Sequence, residues 1–162
     1  MSMNIKLFVM DVDGTLTDGK IYVGADGEVM KAFNVKDGYS IAHVLPRYGI
    51  IPIIITGKSS EIVKTRAHEL GISELYQGVS DKLSKLAELA KKYGASPNEI
   101  AYIGDDVNDL PCIDHCAHTA CPSDALDDVI ARVSYVCRRK GGEGAVREFV
   151  DHLLASMSDN EG

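Results

Sequence analysis

The chain has 162 residues, 45% of them hydrophobic and 25% charged, enough for one domain with a sizeable core. Its 17 basic and 24 acidic side chains leave a net charge of −7. That balance argues against general affinity for nucleic acid or for an anionic membrane, since both reward clustered Lys and Arg. An acidic chain that handles an anionic ligand must gather positive charge locally, from a metal ion or a few placed cations.

Met1 to Lys6 leads straight into an apolar run, with no long hydrophobic segment and no small-residue cleavage site. Neither a signal peptide nor a transmembrane helix is expected, and the expected location is cytoplasmic. Leu7-Phe8-Val9-Met10 reads as a buried strand ending in acidic residues and a glycine. Residues 20–33 read as a hairpin, with a turn at Ala25-Asp26-Gly27. Tyr39 to Tyr48 has helical spacing and is ended by Gly49; Ile50 to Ile55 is a β-branched run weakened at its start by Pro52.

A helix is expected over Ser59–Leu70, stopped by Gly71, then a short strand at Leu75–Gln77 and a helix from Asp81 to Tyr93. Ile100–Ile103 is a further strand. Helices are expected at Val107–Cys116 and Ser123–Ala131, with a small strand near His118–Ala120 between them. A last strand falls at Val133–Val136 and a closing helix at Ala145–Ala155. The domain should therefore span 1–155, with 156–162 a disordered tail. Strands alternating with helices imply an α/β fold: a doubly wound, Rossmann-like parallel sheet, here with a small β-hairpin flap. The four cysteines, at 112, 116, 121 and 137, read as reduced thiols. A zinc site from Cys112, His115, Cys116 and His118 is disfavoured because no C-x2-C pair is present.

In a doubly wound sheet the ligand site lies beyond the carboxyl ends of the strands. Asp11-Val12-Asp13-Gly14-Thr15 follows the first strand, and Thr56-Gly57 follows the strand at 50–55. Lys82 opens a helix, and Gly104-Asp105-Asp106-Val107-Asn108-Asp109 follows the strand at 100–103. Each piece alone has an ordinary explanation, as a turn, a helix cap or a solvated lysine. Together, in one order and each after an apolar run, they point to one site. Converging carboxylates repel unless a cation neutralises them, and hard oxygen ligands select Mg²⁺. Lys82, Thr56 and Gly57 are suited to hold phosphoryl oxygens. A carboxylate so placed can attack phosphorus, and a second carboxyl two residues on can act as acid and then base.

Asp11-x-Asp13-Gly-Thr, Thr56-Gly57, Lys82 and Gly104-Asp105-Asp106-x-x-Asp109 resemble the four motifs of the haloacid dehalogenase superfamily, in chain order. Thr17-Asp18-Gly19, Phe33 to Gly38, Arg66-Ala67, Glu69-Leu70-Gly71 and Gly141 to Glu148 extend the resemblance to the 3-deoxy-D-manno-octulosonate 8-phosphate phosphatase family. The resemblance runs from about Ile5 to Leu154. It implies Asp11 as nucleophile and metal ligand, and Asp13 as acid/base that also gives its backbone carbonyl to Mg²⁺. It further implies phosphate binding by Thr56, Gly57 and Lys82, with Asp105 as a metal ligand assisted by Asp106 and Asn108.

The intervals from Asp13 to Thr56 and from Gly57 to Lys82 are filled by predicted elements and leave no room for a cap domain. An open site must have water excluded by the substrate or by a partner subunit, so a homo-oligomer is expected; the resemblance implies a homotetramer with subunits completing one another's sites. In that family the glycine-rich C-terminal segment reaches a neighbouring active site, with Arg147 ordering it. Truncation after Val136 is then expected to slow turnover while leaving the core folded. The implied substrate is a phosphorylated 2-keto-3-deoxy sugar acid of lipopolysaccharide biosynthesis, the eight-carbon octulosonate. Lys36, Lys58, Lys64 and Arg66 are candidate cations for its carboxylate. Lys58 stands where the family more often has arginine, which leaves a nine-carbon, sialic-acid-type 9-phosphate open. A phospho-receiver domain or a silent scaffold are the non-enzyme alternatives. The receiver is disfavoured because its paired acids come on its first strand, with phosphoacceptor, Thr and Lys after them.

Overall fold

The structure, a computed structural model, describes residues 2–160. Its main sheet is built from β1 (Leu7–Met10), β4 (Ile51–Ile55), β5 (Glu74–Tyr76), β6 (Ile100–Ile103), β7 (His118–Cys121) and β8 (Tyr135–Val136). β2 (Tyr22–Gly24) and β3 (Gly27–Met30) form a separate antiparallel hairpin. The six main strands are parallel and lie in the order β5-β4-β1-β6-β7-β8. The chain therefore winds outward from β1 in both directions, and β1 is the switch point where a site is expected.

Strands covered on both faces read as continuous apolar runs, because neither face meets water. In β1, Phe8 and Met10 join one core cluster with Ile41, Val63, Val146, Phe149 and Val150. Leu7 and Val9 join the other, with Leu86, Leu89 and Ile113. The helices divide accordingly. α1 (Val35–Tyr39), α2 (Glu61–Glu69) and α6 (Ala145–Asp159) cover one face; α3 (Lys82–Tyr93), α4 (Leu110–His115) and α5 (Asp127–Ile130) cover the other.

Several boundaries differ from the sequence-based expectation, each for a local reason. The helix expected at Tyr39–Tyr48 begins at Val35, where Asn34 accepts a bond from the Lys36 N–H. It then widens to a π turn over Ser40–Val44 and tightens to a 3₁₀ turn over Leu45–Tyr48, where Pro46 has no N–H for an α ladder. Gly49 ends it at φ +69°. Pro52 lies inside β4 without breaking it. Ile51 donates toward the β1 side, to Lys6 O, so Pro52's nitrogen faces the other side, where pairing with β5 begins only at Ile53.

The helix expected over Ser123–Ala131 shrinks to α5, because Ser123 N–H bonds Arg139 O and Leu126 N–H bonds Asp105 O. Asp106 caps a 3₁₀ turn over Val107–Asp109 before α4 starts. The disordered tail is corrected as well: α6 continues through Ser156, Met157 and Ser158 to Asp159, while 161–162 lie outside the described residues.

Truncation after Val136 is also corrected. It would remove Val146, Phe149, Val150 and Leu153, all buried, with Phe149 set 5.5 Å from Phe8 between ring centroids. Each such side chain is worth about 1.5–3 kcal/mol when buried. Their loss approaches the roughly 5–15 kcal/mol stability of a whole domain, so the core would not survive it. Among the described residues no helix is long and apolar enough to cross a membrane.

Candidate active site

Asp11 follows β1 directly, and its N–H bonds Ile103 O across to β6. The chain then turns sharply. Thr15, Leu16 and Thr17 all donate to Val12 O, while Thr17 Oγ1 accepts from Gly14 N–H and Gly19 N–H at 3.2 and 3.1 Å. This turn brings the Thr15 hydroxyl onto Asp105 Oδ1 at 3.1 Å. Gly14, at φ +86°, lets the two segments meet: a Cβ there would stand 1.9 Å from Asp105 Oδ2. The C-terminal loop seats against the same turn from outside. Gly142 N–H bonds Thr15 O, and a Cβ on Gly141 would stand 2.0 Å from Gly14 O.

Asp11, Asp13, Thr56, Gly57, Asp105, Asp106 and Asn108, with Gly19 and Lys58, line one cleft of about 280 Å³. They come from the ends of β1, β4 and β6, the rim the topology selects. Lys82 lies beneath, its Nζ 3.1 Å from Asp11 Oδ1 and 2.9 Å from Asp109 Oδ1. Burial alone would lower the lysine's pKa, but Asp11 and Asp109 outweigh it and hold the pKa above its ordinary value. Lys36, Arg66 and Arg147 stand away from this cleft. Lys36 is exposed; Arg66 pairs with Glu69 and lies over the Phe33 ring; Arg147 pairs with Asp151 and lies over the Tyr39 ring.

Two residues at the centre carry no role in the sequence reading. Asp109 is fully buried and saturated. Oδ1 accepts from Lys82 Nζ and from Tyr102 OH at 2.5 Å, and Oδ2 accepts from the N–H groups of Asp105 and Asp106 at 3.0 and 3.2 Å. Its four acceptor positions are thus used, and its work is to hold Lys82 and the Asp105 backbone in place. Its spacing four residues after Asp105 is a signal, but nothing in sequence separates it from a cleft-facing acid. The other is Lys31, which reaches from the hairpin to Asp13 Oδ1 at 2.6 Å. A lysine in a short exposed hairpin gives no such sign.

Oxygens of Asp11, Asp105 and Asp109 lie within 4.8 Å of one another, the one such group of potential metal ligands among the described residues. The cysteines are free and buried, and do not form one. Burial first, then the charges of Asp11 and Asp109, push Asp105 up to about 8. Burial and Asp109 likewise raise Asp11, against the pull of Lys82. Carboxylates so crowded call for a hard divalent cation, and since Asp109 is saturated, Asp11 and Asp105 are the carboxylates free to bind it.

A family model for haloacid dehalogenase-like hydrolases matches residues 54–149. The 3-deoxy-D-manno-octulosonate 8-phosphate phosphatase of Escherichia coli K12 is 46% identical over 154 residues, which cover 95% of this chain and 81% of that protein. The chain belongs to the haloacid dehalogenase-like hydrolases, in the octulosonate 8-phosphate phosphatase family. Solved structures of this family superpose closely. The Yersinia pestis enzyme shares 44% identity at a TM-score of 0.92, over 99% of this chain and 86% of that one. The Moraxella catarrhalis phosphatase, solved with a magnesium ion, a phosphate ion and 3-deoxy-D-manno-octulosonate, shares 42% identity at a TM-score of 0.91, over 98% and 91%. As in these haloacid dehalogenase-like hydrolases, the sheet here is flanked by helices and carries no cap domain.

Proposed function

We propose that this chain is a magnesium-dependent phosphatase that hydrolyses 3-deoxy-D-manno-octulosonate 8-phosphate in the cytoplasm, as a step of lipopolysaccharide biosynthesis. The observation that carries the reading is the meeting of Asp11 and Asp105 in one open cleft, over a buried Lys82–Asp109 support. The names of the relatives and the contents of the Moraxella catarrhalis structure support the substrate and the ion.

Asp11, Asp105 and the backbone carbonyl of Asp13 would hold Mg²⁺, which supplies charge neutralisation between nucleophile and phosphate. An Asp11 carboxylate oxygen attacks phosphorus as the ester O–P bond breaks, and Asp13 gives its proton to the departing sugar oxygen. Asp13 then takes a proton from water as that water attacks phosphorus, releasing phosphate and restoring Asp11. Lys82 keeps Asp11 turned to the cleft, and Thr56 and Gly57 bind the phosphoryl oxygens.

The homotetramer rests on the family resemblance, and the exposed apolar hairpin supports a subunit contact through which neighbours cover the open cleft. Val23 and Val29 are 70% and 62% exposed there, beside exposed Ile21 and Met30. A monomer with full activity by light scattering would overturn that part. Lys58 lines the cleft where the family more often has arginine, and that departure leaves room for a second reading in which the substrate is a nine-carbon 9-phosphate.

Phosphate release measured with Mg²⁺ across octulosonate 8-phosphate and nonulosonate 9-phosphates tests both readings, with Asp11→Asn as the control. Preference for the octulosonate ester, abolished in Asp11→Asn, is expected. Preference for the nine-carbon esters would replace the substrate, and release from none, or normal release by Asp11→Asn, would overturn the mechanism.

A further inference from the structure

Residues Gly27–Met30 of β3 are all exposed, yet the next side chain, Lys31, is only 2% exposed. An ammonium is costly to bury unless it is paired, and Lys31 is paired twice. Its Nζ lies 2.6 Å from Asp13 Oδ1 and 3.1 Å from Glu28 Oε2. The second oxygen of Glu28 accepts from Ser60 Oγ at 2.5 Å. Ser60 is the N-cap of α2, and its own N–H is held by Gln77 Oε1 at 2.8 Å. A continuous chain of contacts thus runs from the body of the domain, through Ser60, Glu28 and Lys31, to Asp13. Among the described residues the Asp13 side chain has Lys31 as its one bonding partner, and only through Oδ1. Oδ2 is left for the cleft that Asp13 lines.

We propose that Lys31 is a positioning residue for Asp13: by holding Oδ1 it aims Oδ2 at the leaving oxygen, so that one contact both seats the hairpin and orients the proton donor. The inference rests on the reading of Asp13 as acid and base. In the step it serves, the Asp11–phosphorus bond forms, the ester O–P bond breaks with its electron pair going to the sugar oxygen, and that oxygen takes the proton from Asp13 Oδ2. A carboxyl held by a short, charge-assisted bond loses the freedom to turn away, and orientation of this kind is a large part of what a general acid contributes.

The test compares kcat/KM for octulosonate 8-phosphate, whose alkoxide must be protonated to leave, with that for p-nitrophenyl phosphate, whose phenolate leaves unaided. Because kcat/KM reports the first irreversible step, the base role of Asp13 in the second step does not enter. Lys31→Met is expected to lower kcat/KM for the sugar acid ester on the order of 10²-fold, within the range of general acid catalysis. Its effect on p-nitrophenyl phosphate is expected to stay within about threefold. Asp13→Asn sets the reference and should discriminate in the same sense. If Asp13→Asn discriminates and Lys31→Met lowers both substrates alike, or neither, the positioning role is overturned. If Asp13→Asn itself does not discriminate, the acid reading fails first. Glu28→Gln, which loosens Lys31 without emptying its site, should shift the ratio in the same direction by about threefold to tenfold; an unchanged ratio also overturns the proposal.

Discussion

Replacing Gly14 by Ala is the most local way to disturb the carboxylate pair. The added Cβ would stand 1.9 Å from Asp105 Oδ2 and 2.6 Å from its Cγ, where ordinary contact begins near 3.4 Å. The Asp105 carboxylate must therefore withdraw by about 1.5 Å, and a displacement of about 1 Å from productive geometry costs on the order of 10²-fold in rate. We expect kcat/KM to fall by at least that factor, and half-saturation by Mg²⁺ to rise about 10–100-fold, as for lost support of a metal ligand. The left-handed φ adds a folding cost of about 1–2 kcal/mol. Gly49→Ala is the control: Gly49 has φ +69° with nothing within 4 Å of its added Cβ. It should pay the same strain and keep normal kinetics. Steady-state phosphate release across a Mg²⁺ titration, with urea unfolding of both variants, separates the terms. Gly14→Ala with both kinetic constants within twofold of the parent, or Gly49→Ala losing as much activity, would refute the steric reasoning.

Mg²⁺ at about 100 times its Kd should stabilise the fold by about 2.7 kcal/mol, raising Tm by roughly 5–10 °C. The shift should vanish with chelator and in Asp105→Asn, and no shift in the parent would count against the ion. Asp37 is a buried residue of α1, accepts from Arg147 N–H at Oδ1, and has an unpartnered Oδ2. Burial, only partly offset by that bond and nearby arginines, pushes its pKa from 3.8 up to about 6. A raised folded-state value means that its favourable contribution is complete below about pH 4 and lost as pH rises through 6. Asp37→Asn should therefore gain on the parent by roughly 2–3 kcal/mol at pH 8 and by almost nothing at pH 4, in urea unfolding; a pH-independent difference would contradict this. A chain ending at Val136 should show no cooperative thermal transition, and a folded truncation would contradict the packing of α6.

The central strands β1, β4 and β6 are legible because each is a short apolar run in a sheet buried on both faces, and the acids after β1 and β6 stand where such a topology exposes its site. What the helical segment at 35–48 would do was not legible. Its spacing fits an α-helix, while its π and 3₁₀ turns follow from the Asn34 cap, Pro46 and Gly49 acting together. That Asp11, Asp13, Thr56, Gly57 and Asp105 meet in one cleft is legible from their order and spacing after the strands. Lys36 and Arg66 are singled out by charge and Arg147 by the family resemblance, but Arg66 and Arg147 answer to Glu69, Phe33, Asp151 and Tyr39, neighbours set by folding. Lys31 and Asp109 depend on contacts made across the chain, which no local pattern announces.

The seating of Gly141 and Gly142 on the turn at Gly14–Thr17 ties the first functional loop to a segment made much later. During synthesis, the strand bearing Asp11 emerges long before the residues that brace it. A ribosome-bound chain lacks this brace until Gly141 and Gly142 have emerged and seated on the turn. A stop before Gly141 therefore yields a protein with every acid present, and Lys82 and Asp109 behind them, but without the loop that braces their turn.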